Sequence, residues 1–344
     1  MKRKYFRLLA LVFALAMLAG VLGGCSSEKS AAMFKVNGDK VSKADFMMYV
    51  FFTKCQIFSD ELSNGSVSMS TLYQLPEEQL EEEVEIDVTF REYLKYLAAS
   101  QAMSSVLMRQ MAQDAGVKIT KADKDELKAV KADFVETLGG AAAYNKFIKA
   151  IGSTDSAYDR YMTDVLYSEK LYELYADGEK FALTEPELAA GKEEFAKSYV
   201  TVRHILFNVI DLSSGNYLSA EEQAQAQVDA DAVLALIRGG ADFTEMMERY
   251  TAEANPAPFT FTEGEVLPEF EKAALKLAVG EVSDVVKTLY GYHIIIRDPL
   301  QTGGTAWENY KEILREQKYS ADVQEMSDAA NITTTKAYDK LKVS

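Results

Sequence analysis

Histidine, cysteine, proline and tryptophan are scarce in this 344-residue chain, which holds two, two, six and one of them. The histidines, His204 and His293, and the cysteines, Cys25 and Cys55, form no close cluster of the three or four ligands that zinc takes, so no metal is expected. GxSxG, HExxH, P-loop and dinucleotide patterns are absent, which removes the familiar signatures of hydrolysis and of nucleotide binding, and no cofactor is expected. Positive charge is also short, with 37 basic against 53 acidic residues and a formal charge of −16. Such a surface repels nucleic acid, so no nucleic-acid partner is expected. Long apolar runs are confined to Leu8–Leu22, shorter than the roughly 20 residues of a membrane-spanning helix.

What precedes that run is basic. Lys2, Arg3, Lys4 and Arg7 stand without an acidic residue among them, and a charged start followed by a short apolar stretch reads as a secretory signal. The stretch Leu22-Gly23-Gly24-Cys25 resembles the bacterial lipobox, with Gly23 where Ala or Ser is more usual. The resemblance implies that residues 1–24 are removed and that Cys25 carries a diacyl group, since two chains anchor stably where one does not. The mature chain then loses four positive charges, reaches −20, and lies lipid-anchored on the extracytoplasmic face of a cell membrane. Cys55 is left without a disulfide partner and is expected to be buried in a helix. The remaining 320 residues, almost half hydrophobic, suffice for two cores.

Residues 25–33 read as a small, polar tether. Phe34–Val41 reads as strand turning at Asn37-Gly38, and Ser42 with Asp45 reads as an N-cap and its acidic N3 partner. A helix is expected from Pro76 to Gly116, with further starts at Thr120 with Asp123, near Ser153, and at Thr184 with Glu187. The span 42–197 is therefore expected to be helical. From Tyr199 to Val209 β-branched and aromatic residues dominate. Ser219 with Glu222 opens a helix that ends at Gly239-Gly240, and Val282–Arg297 is strand-like around Tyr290-Gly291-Tyr292. Ala306–Ala330 returns to helix, and Ile332–Val343 closes as a strand or frays, with the tail packing back on the N-terminal helices. Met47, Met48, Met103, Met108 and Met111, with Tyr49, Phe51, Phe52, Tyr93 and Tyr96, fit either an adaptable binding surface or, at helical spacing, plain core. The acidic run Glu77–Asp87 reads as a solvated helix face.

Four ordered segments within the middle block carry a resemblance. They are Val202-Arg203-His204-Ile205-Leu206, Gly239-Gly240-Ala241-Asp242-Phe243, Gly264-Glu265-Val266-Leu267-Pro268-Glu269-Phe270-Glu271, and Gly280-Glu281-Val282-Ser283 onward through Lys287-Thr288 to Gly291-Tyr292-His293-Ile294-Ile295. Together they resemble the parvulin family of peptidyl-prolyl isomerases. The resemblance implies that His204 and His293 are central histidines hydrogen-bonded with Thr288, and that Glu253 falls near the place of the family's Asp or Cys. It makes Phe270 the floor of the proline pocket with Val266 beside it, and puts Phe261 and Tyr290 at the rim. The sequence departs from the family at Ala254-Asn255-Pro256-Ala257-Pro258, which is shorter than the usual glycine-rich loop.

Rotation about an X–Pro bond faces a barrier of about 20 kcal/mol set by amide resonance. An apolar pocket that desolvates the imide and favours its twisted form lowers that barrier without a nucleophile. Two mutually satisfied histidines that only brace a sheet would read the same in sequence.

The flanks resemble exported foldases of the PrsA and SurA kind, through Val36-Asn37-Gly38-Asp39-Lys40-Val41-Ser42 and the aromatic helix after it. The resulting expectation is an α+β protein: a helical N- and C-terminal chaperone domain, residues 34–198 and 300–344, with a parvulin-like domain inserted at 199–299, a small antiparallel sheet flanked by helices. Its expected work is isomerisation of X–Pro bonds in unfolded or partly folded exported proteins, together with chaperone binding of those clients. The alternative is a non-catalytic holdase whose parvulin domain has lost turnover through the short 252–258 loop.

Overall fold

Five helices begin with a Ser or Thr whose hydroxyl takes the N3 amide while an acidic N3 side chain returns to the cap's own amide. The pairs are Ser42/Asp45, Thr89/Glu92, Thr120/Asp123, Thr184/Glu187 and Ser219/Glu222. Each reciprocal cap satisfies two otherwise unpaired amides and marks where a helix must start. The computed structural model describes residues 28–344 apart from Ile86, Asp177, Glu179, Lys180, Leu212, Ser213 and Asn255. The expected signal sequence 1–24, Cys25, the first residues of the expected tether and Asn255 of the 254–258 loop lie outside the described residues.

The chain divides into two compact units: one runs to Phe181 and resumes at Lys318–Ser344, and the other is Ala182–Gln317. The flanking unit is mainly helical. Its three-stranded antiparallel sheet has the order Asp39–Ser42, Ala32–Val36, Ile332–Thr334. Asn37 and Gly38 make the hairpin turn with φ of 50° and 93°, the left-handed pair such a tight turn demands. Ala32 and buried Met33, expected in the tether, already belong to the first strand.

The tail is part of this core. Tyr338 meets Phe34 and Phe46 edge-on at 5.9 and 5.7 Å. Buried Lys54 donates to the carbonyl of Leu72 at 3.0 Å and to the main-chain oxygen of Ser344, and Arg91 donates to the carbonyl of Val343. Helices Lys43–Ile57, Phe90–Asp114 and Asp155–Ala176 pack on one another around this core. Arg109 ties the second to the third through Asp164 at 2.7 Å.

One expectation is corrected in this unit. Residues 76–116 are not one helix: a short helix Glu77–Leu80 is followed by a hairpin of Glu83–Glu85 with Val88–Thr89, and the long helix starts only at Phe90. Asp87 at φ 60° turns the hairpin, and Val84, Val88 and Thr89 are β-branched residues that suit strand better than helix. The acidic run is exposed as expected, but on this hairpin and short helix, with Glu77 and Glu81 paired to Arg91. Of the two readings open for the Met and aromatic residues the core reading holds: Met47, Met48, Met103, Met108, Tyr49 and Phe51 are buried, and of the ten Tyr96 is the one left exposed. Cys55 is a half-buried free thiol in the first helix, 3.7 Å from Met69 Sδ, and burial pushes its pKa up to about 12.

The inserted unit holds a four-stranded antiparallel sheet in the order Phe259–Thr262, Tyr199–Asn208, Val286–Lys287 last, with Gly291–Asp298 third. Helices Ala220–Arg238, Phe243–Tyr250 and Pro268–Ala274 cover it. Helix Glu185–Ser198 and the start of helix Thr305–Asp328 also belong here. Fully buried Phe195 stacks on Tyr199 at 4.1 Å and meets Trp307 and Tyr310, both at 5.3 Å. Gly191 lies so close to Leu314 that a Cβ there would meet its Cδ1 at 2.4 Å. Beyond residues 199–299 this compact unit takes in the whole helix Glu185–Ser198 on one side and the first part of helix Thr305–Asp328 on the other.

Candidate active site

The two central strands bring the histidines together. Tyr199–Asn208 pairs with Gly291–Asp298 so that Leu206 stands opposite His293 and His204 opposite Ile295. On this register His204 and His293 are diagonal neighbours on one face. Their Nδ1 atoms lie 3.1 Å apart and the rings stack at 5.2 Å, 22° from parallel.

Short loops supply the partners. Thr251, which ends helix Phe243–Tyr250, accepts the Leu206 amide on its hydroxyl at 3.1 Å, and the Ala252 amide donates to the Leu206 carbonyl at 2.8 Å. Those two bonds pin the following residue beside the strand, and Glu253 Oε1 lies 3.1 Å from His204 Nε2. On the other side the turn Thr288–Gly291 is closed by the Thr288 amide on the Gly291 carbonyl at 2.8 Å, and Thr288 Oγ1 reaches His293 Nε2 at 2.9 Å.

Four groups thus form a line: Thr288, His293, His204, Glu253. Burial lowers the pKa of both histidines, that of His293 to about 3, helped by the neighbouring His204; for His204 the Glu253 carboxylate only partly offsets burial. Both rings are therefore neutral near pH 7 and carry one N–H each. One direction satisfies the line: the Thr288 hydroxyl donates to His293 Nε2, His293 Nδ1–H donates to His204 Nδ1, and His204 Nε2–H donates to Glu253. The reverse would turn a bare ring nitrogen toward the carboxylate. The tautomers follow from the partners.

Beside this line opens a cavity of about 530 Å³, lined by His204, Leu206, Glu253, Phe259, Glu265, Val266, Leu267, Phe270, Thr288, Tyr290 and His293. Phe270 is buried and meets both histidines edge-on, at 5.2 and 5.3 Å. It rides on a helix that Pro268 starts, a position where proline's missing N–H costs nothing. The structure brings His204, His293, Glu253, Thr288, Phe270, Val266 and Tyr290 to one cavity. Phe261 is the exception: it is buried behind Phe259 and Phe270, at 5.7 and 6.1 Å, and is not at the rim. Phe259 and Phe261 share one face of an edge strand, and the earlier residue of the pair reaches the open end. Phe259, Leu206, Leu267 and Glu265 were not anticipated; the alternation Phe-Thr-Phe-Thr at 259–262 was the available sign of a strand with one apolar face.

Among the described residues no three His, Cys, Asp or Glu side chains are grouped to hold a metal. The flanking unit has its own cavity of about 460 Å³, where Tyr49, Phe52, Tyr161 and Val165 meet the amides of Gln56 and Gln101 and the Cys55 thiol.

Residues 204–298 match the Rotamase family, the PPIC-type PPIASE domain. Along its length the chain is similar to Foldase protein PrsA of Caldanaerobacter subterraneus subsp. tengcongensis, 26% identical over 365 aligned positions that cover 99% of this chain and 94% of that one. It is also 25% identical to Foldase protein PrsA of Halalkalibacterium halodurans over 80% of this chain and 68% of that one. The crystal structure of PrsA from Bacillus subtilis is 25% identical, covering 73% of this chain and 91% of that one, with a TM-score of 0.26. The histidine-centred cavity thus lies within a parvulin, PPIC-type peptidyl-prolyl cis-trans isomerase domain, carried in a chain that is PrsA-like along its length.

Proposed function

We propose that this protein is a lipid-anchored foldase on the extracytoplasmic face of a membrane, which isomerises X–Pro bonds in exported polypeptides and holds the same unfolded clients on its flanking unit. The observation that carries the catalytic half is the neutral Thr288–His293–His204–Glu253 line against an aromatic-floored cavity. Phe270, Phe259, Leu267 and Val266 accept the prolyl ring and strip water from the imide, which favours the twisted, less polar bond over either planar form. The hydrogen-bonded histidines hold that wall rigid, so the cavity need not reorganise as the bond turns. Glu253 reaches His204 despite the short loop, which favours turnover over the holdase reading.

The flanking cavity supports client holding, because aromatic walls with a few amides suit an apolar side chain and its backbone. The signal-like start and the lipobox-like Leu22–Cys25 support the anchor. The test pairs two assays on one variant: Phe270→Ala, shown folded by near-UV circular dichroism, lowers isomerisation of prolyl peptides and leaves suppression of client aggregation intact. A folded variant as fast as the parent would remove Phe270 from the mechanism; a parent with no turnover would leave a holdase.

A further inference from the structure

The isomerase cavity carries charge of one sign. Glu253 and Glu265 are among its lining side chains, and neither Lys nor Arg is. Three cations of the sheet itself are engaged elsewhere: Arg203 on Asp298 at 2.6 Å, Arg297 on the Leu277 carbonyl at 3.1 Å, and Lys287 over the Tyr292 ring at 5.5 Å; Lys272, on the pocket helix, is exposed and does not line the cavity. The histidines add no positive charge, since burial keeps them neutral.

Glu265 is held in place. Its Oε2 accepts the Thr262 amide at 3.0 Å, and Glu271 Oε2 accepts the Gly264 amide at 2.6 Å, so the bend between edge strand and pocket helix is stapled from both ends. Exposed Glu263 and Glu269 flank it and extend the negative field outward. A prolyl ring on Phe270 leaves its neighbours one residue, about 3.5 Å of extended chain, to either side. A long cationic side chain at such a neighbour then reaches the Glu265 or Glu253 carboxylate, whereas an anionic one meets like charge in a partly desolvated mouth.

We propose that this cavity selects prolyl segments with lysine or arginine next to the proline, and rejects acidic or phosphorylated neighbours, through Glu265 and Glu253. The proposal rests on the isomerase reading of the cavity and adds its substrate class. Because the ion pairs form at an open mouth, the preference is modest, about two- to fivefold per carboxylate, and fades with salt.

The experiment uses the full chain and three blocked tetrapeptides, Ala-Xaa-Pro-Phe with Lys, Ala or Glu before proline, followed by NMR for both exchange rate and dissociation constant at low and high salt. Lys is expected above Ala and Ala above Glu in both measures, with the spread narrowing at high salt. Glu265→Gln, which keeps an oxygen for the Thr262 amide, should bring the three peptides together, and Glu265→Lys should invert their order; the Ala peptide reports whether the pocket still works. Equal constants for the Lys and Glu peptides, or a spread untouched by Glu265→Gln, would overturn the charge preference and leave the isomerase reading standing. Absence of exchange catalysis for all three peptides would remove the isomerase reading, while the dissociation constants would still decide the charge preference.

Discussion

His204 and His293 face each other through like atoms, Nδ1 to Nδ1 at 3.1 Å, so one of the two must donate and the other accept. The Glu253 carboxylate at the far side of His204 decides which. Replacing His293 by Phe keeps the aromatic volume near Phe270 but deletes both bonds, leaving Thr288 and His204 Nδ1 without their partner. Isomerase kcat/KM should fall about tenfold, the worth of roughly one buried hydrogen bond, about 1.4 kcal/mol. Exchange-NMR rates on a prolyl tetrapeptide measure it, and an unchanged rate would make the histidine line a structural brace alone.

The same burial sets an acid limit. A histidine whose folded pKa lies below its unfolded value near 6.5 takes up its proton on unfolding, so its contribution to stability is complete above pH 6.5 and is lost as pH falls toward the folded value, about 3 for His293. His204 is shifted in the same direction. His293 should cost about 1.4 kcal/mol per pH unit within that window. Carboxylates with lowered pKa, such as Asp39 and Asp123, act in the lower part of the same range, so the comparison is between the parent and His293→Gln. Thermal melts from pH 7 to 4 should show a shallower decline for the variant; parallel declines would mean His293 does not stay neutral.

Legibility from sequence followed the range of the interactions. Caps such as Ser42/Asp45 and Thr184/Glu187 are three residues long, and Asn37-Gly38 needs only its own backbone, so all were readable and all formed. The hairpin at 83–89 was hidden because its acidic residues also fit an exposed helix, and the tie-breaker is the Thr89/Glu92 cap. Met48 and Met103 lie in the same core as Tyr338 and Val343 of the returning tail, a closure between distant parts of the chain that residue spacing within one helix does not announce. Within the cavity, His204, His293 and Phe270 stood out by rarity and motif, whereas Phe259 and Leu206 are ordinary strand residues until the register is known.

The aromatic cluster around Phe195 predicts where the inserted unit can be cut. Residues 182–317 keep Phe195, Tyr199, Trp307 and Tyr310 together, whereas residues 199–299 strip Tyr199 of its ring neighbours Phe195 and Tyr310 and lose Trp307 with them. Burying a Phe such as Phe195 is worth about 1.5–3 kcal/mol, so the longer fragment should melt cooperatively and at higher temperature than the shorter one. Equal melting temperatures would place the cluster outside the unit's stability.

Lipid attachment at Cys25 is tested without structure. Cys25→Ser should abolish acyl labelling and leave either an uncleaved precursor or a released protein. Labelling and membrane fractionation identical to the parent would refute the anchor.

The most sensitive backbone position in the site is Gly291, which begins the strand carrying His293 just after the Thr288 turn. Its φ is 155°, and a Cβ there would stand 2.1 Å from the Phe207 carbonyl oxygen and 2.9 Å from Asn208 Cα, main-chain atoms that cannot step aside without opening the central strand pair. Gly291→Ala should therefore cost about 3 kcal/mol or more and shift the turn that holds Thr288 on His293, so that whatever folds also turns over slowly. Gly304→Ala is the matched control, since a Cβ at that position meets nothing within 4 Å and should change stability by no more than about 0.5 kcal/mol. Denaturant melts of the two variants beside the parent measure both effects. Similar small losses for both would show that the strand pair tolerates a side chain at Gly291, and that the Thr288–His293 contact does not depend on this close approach.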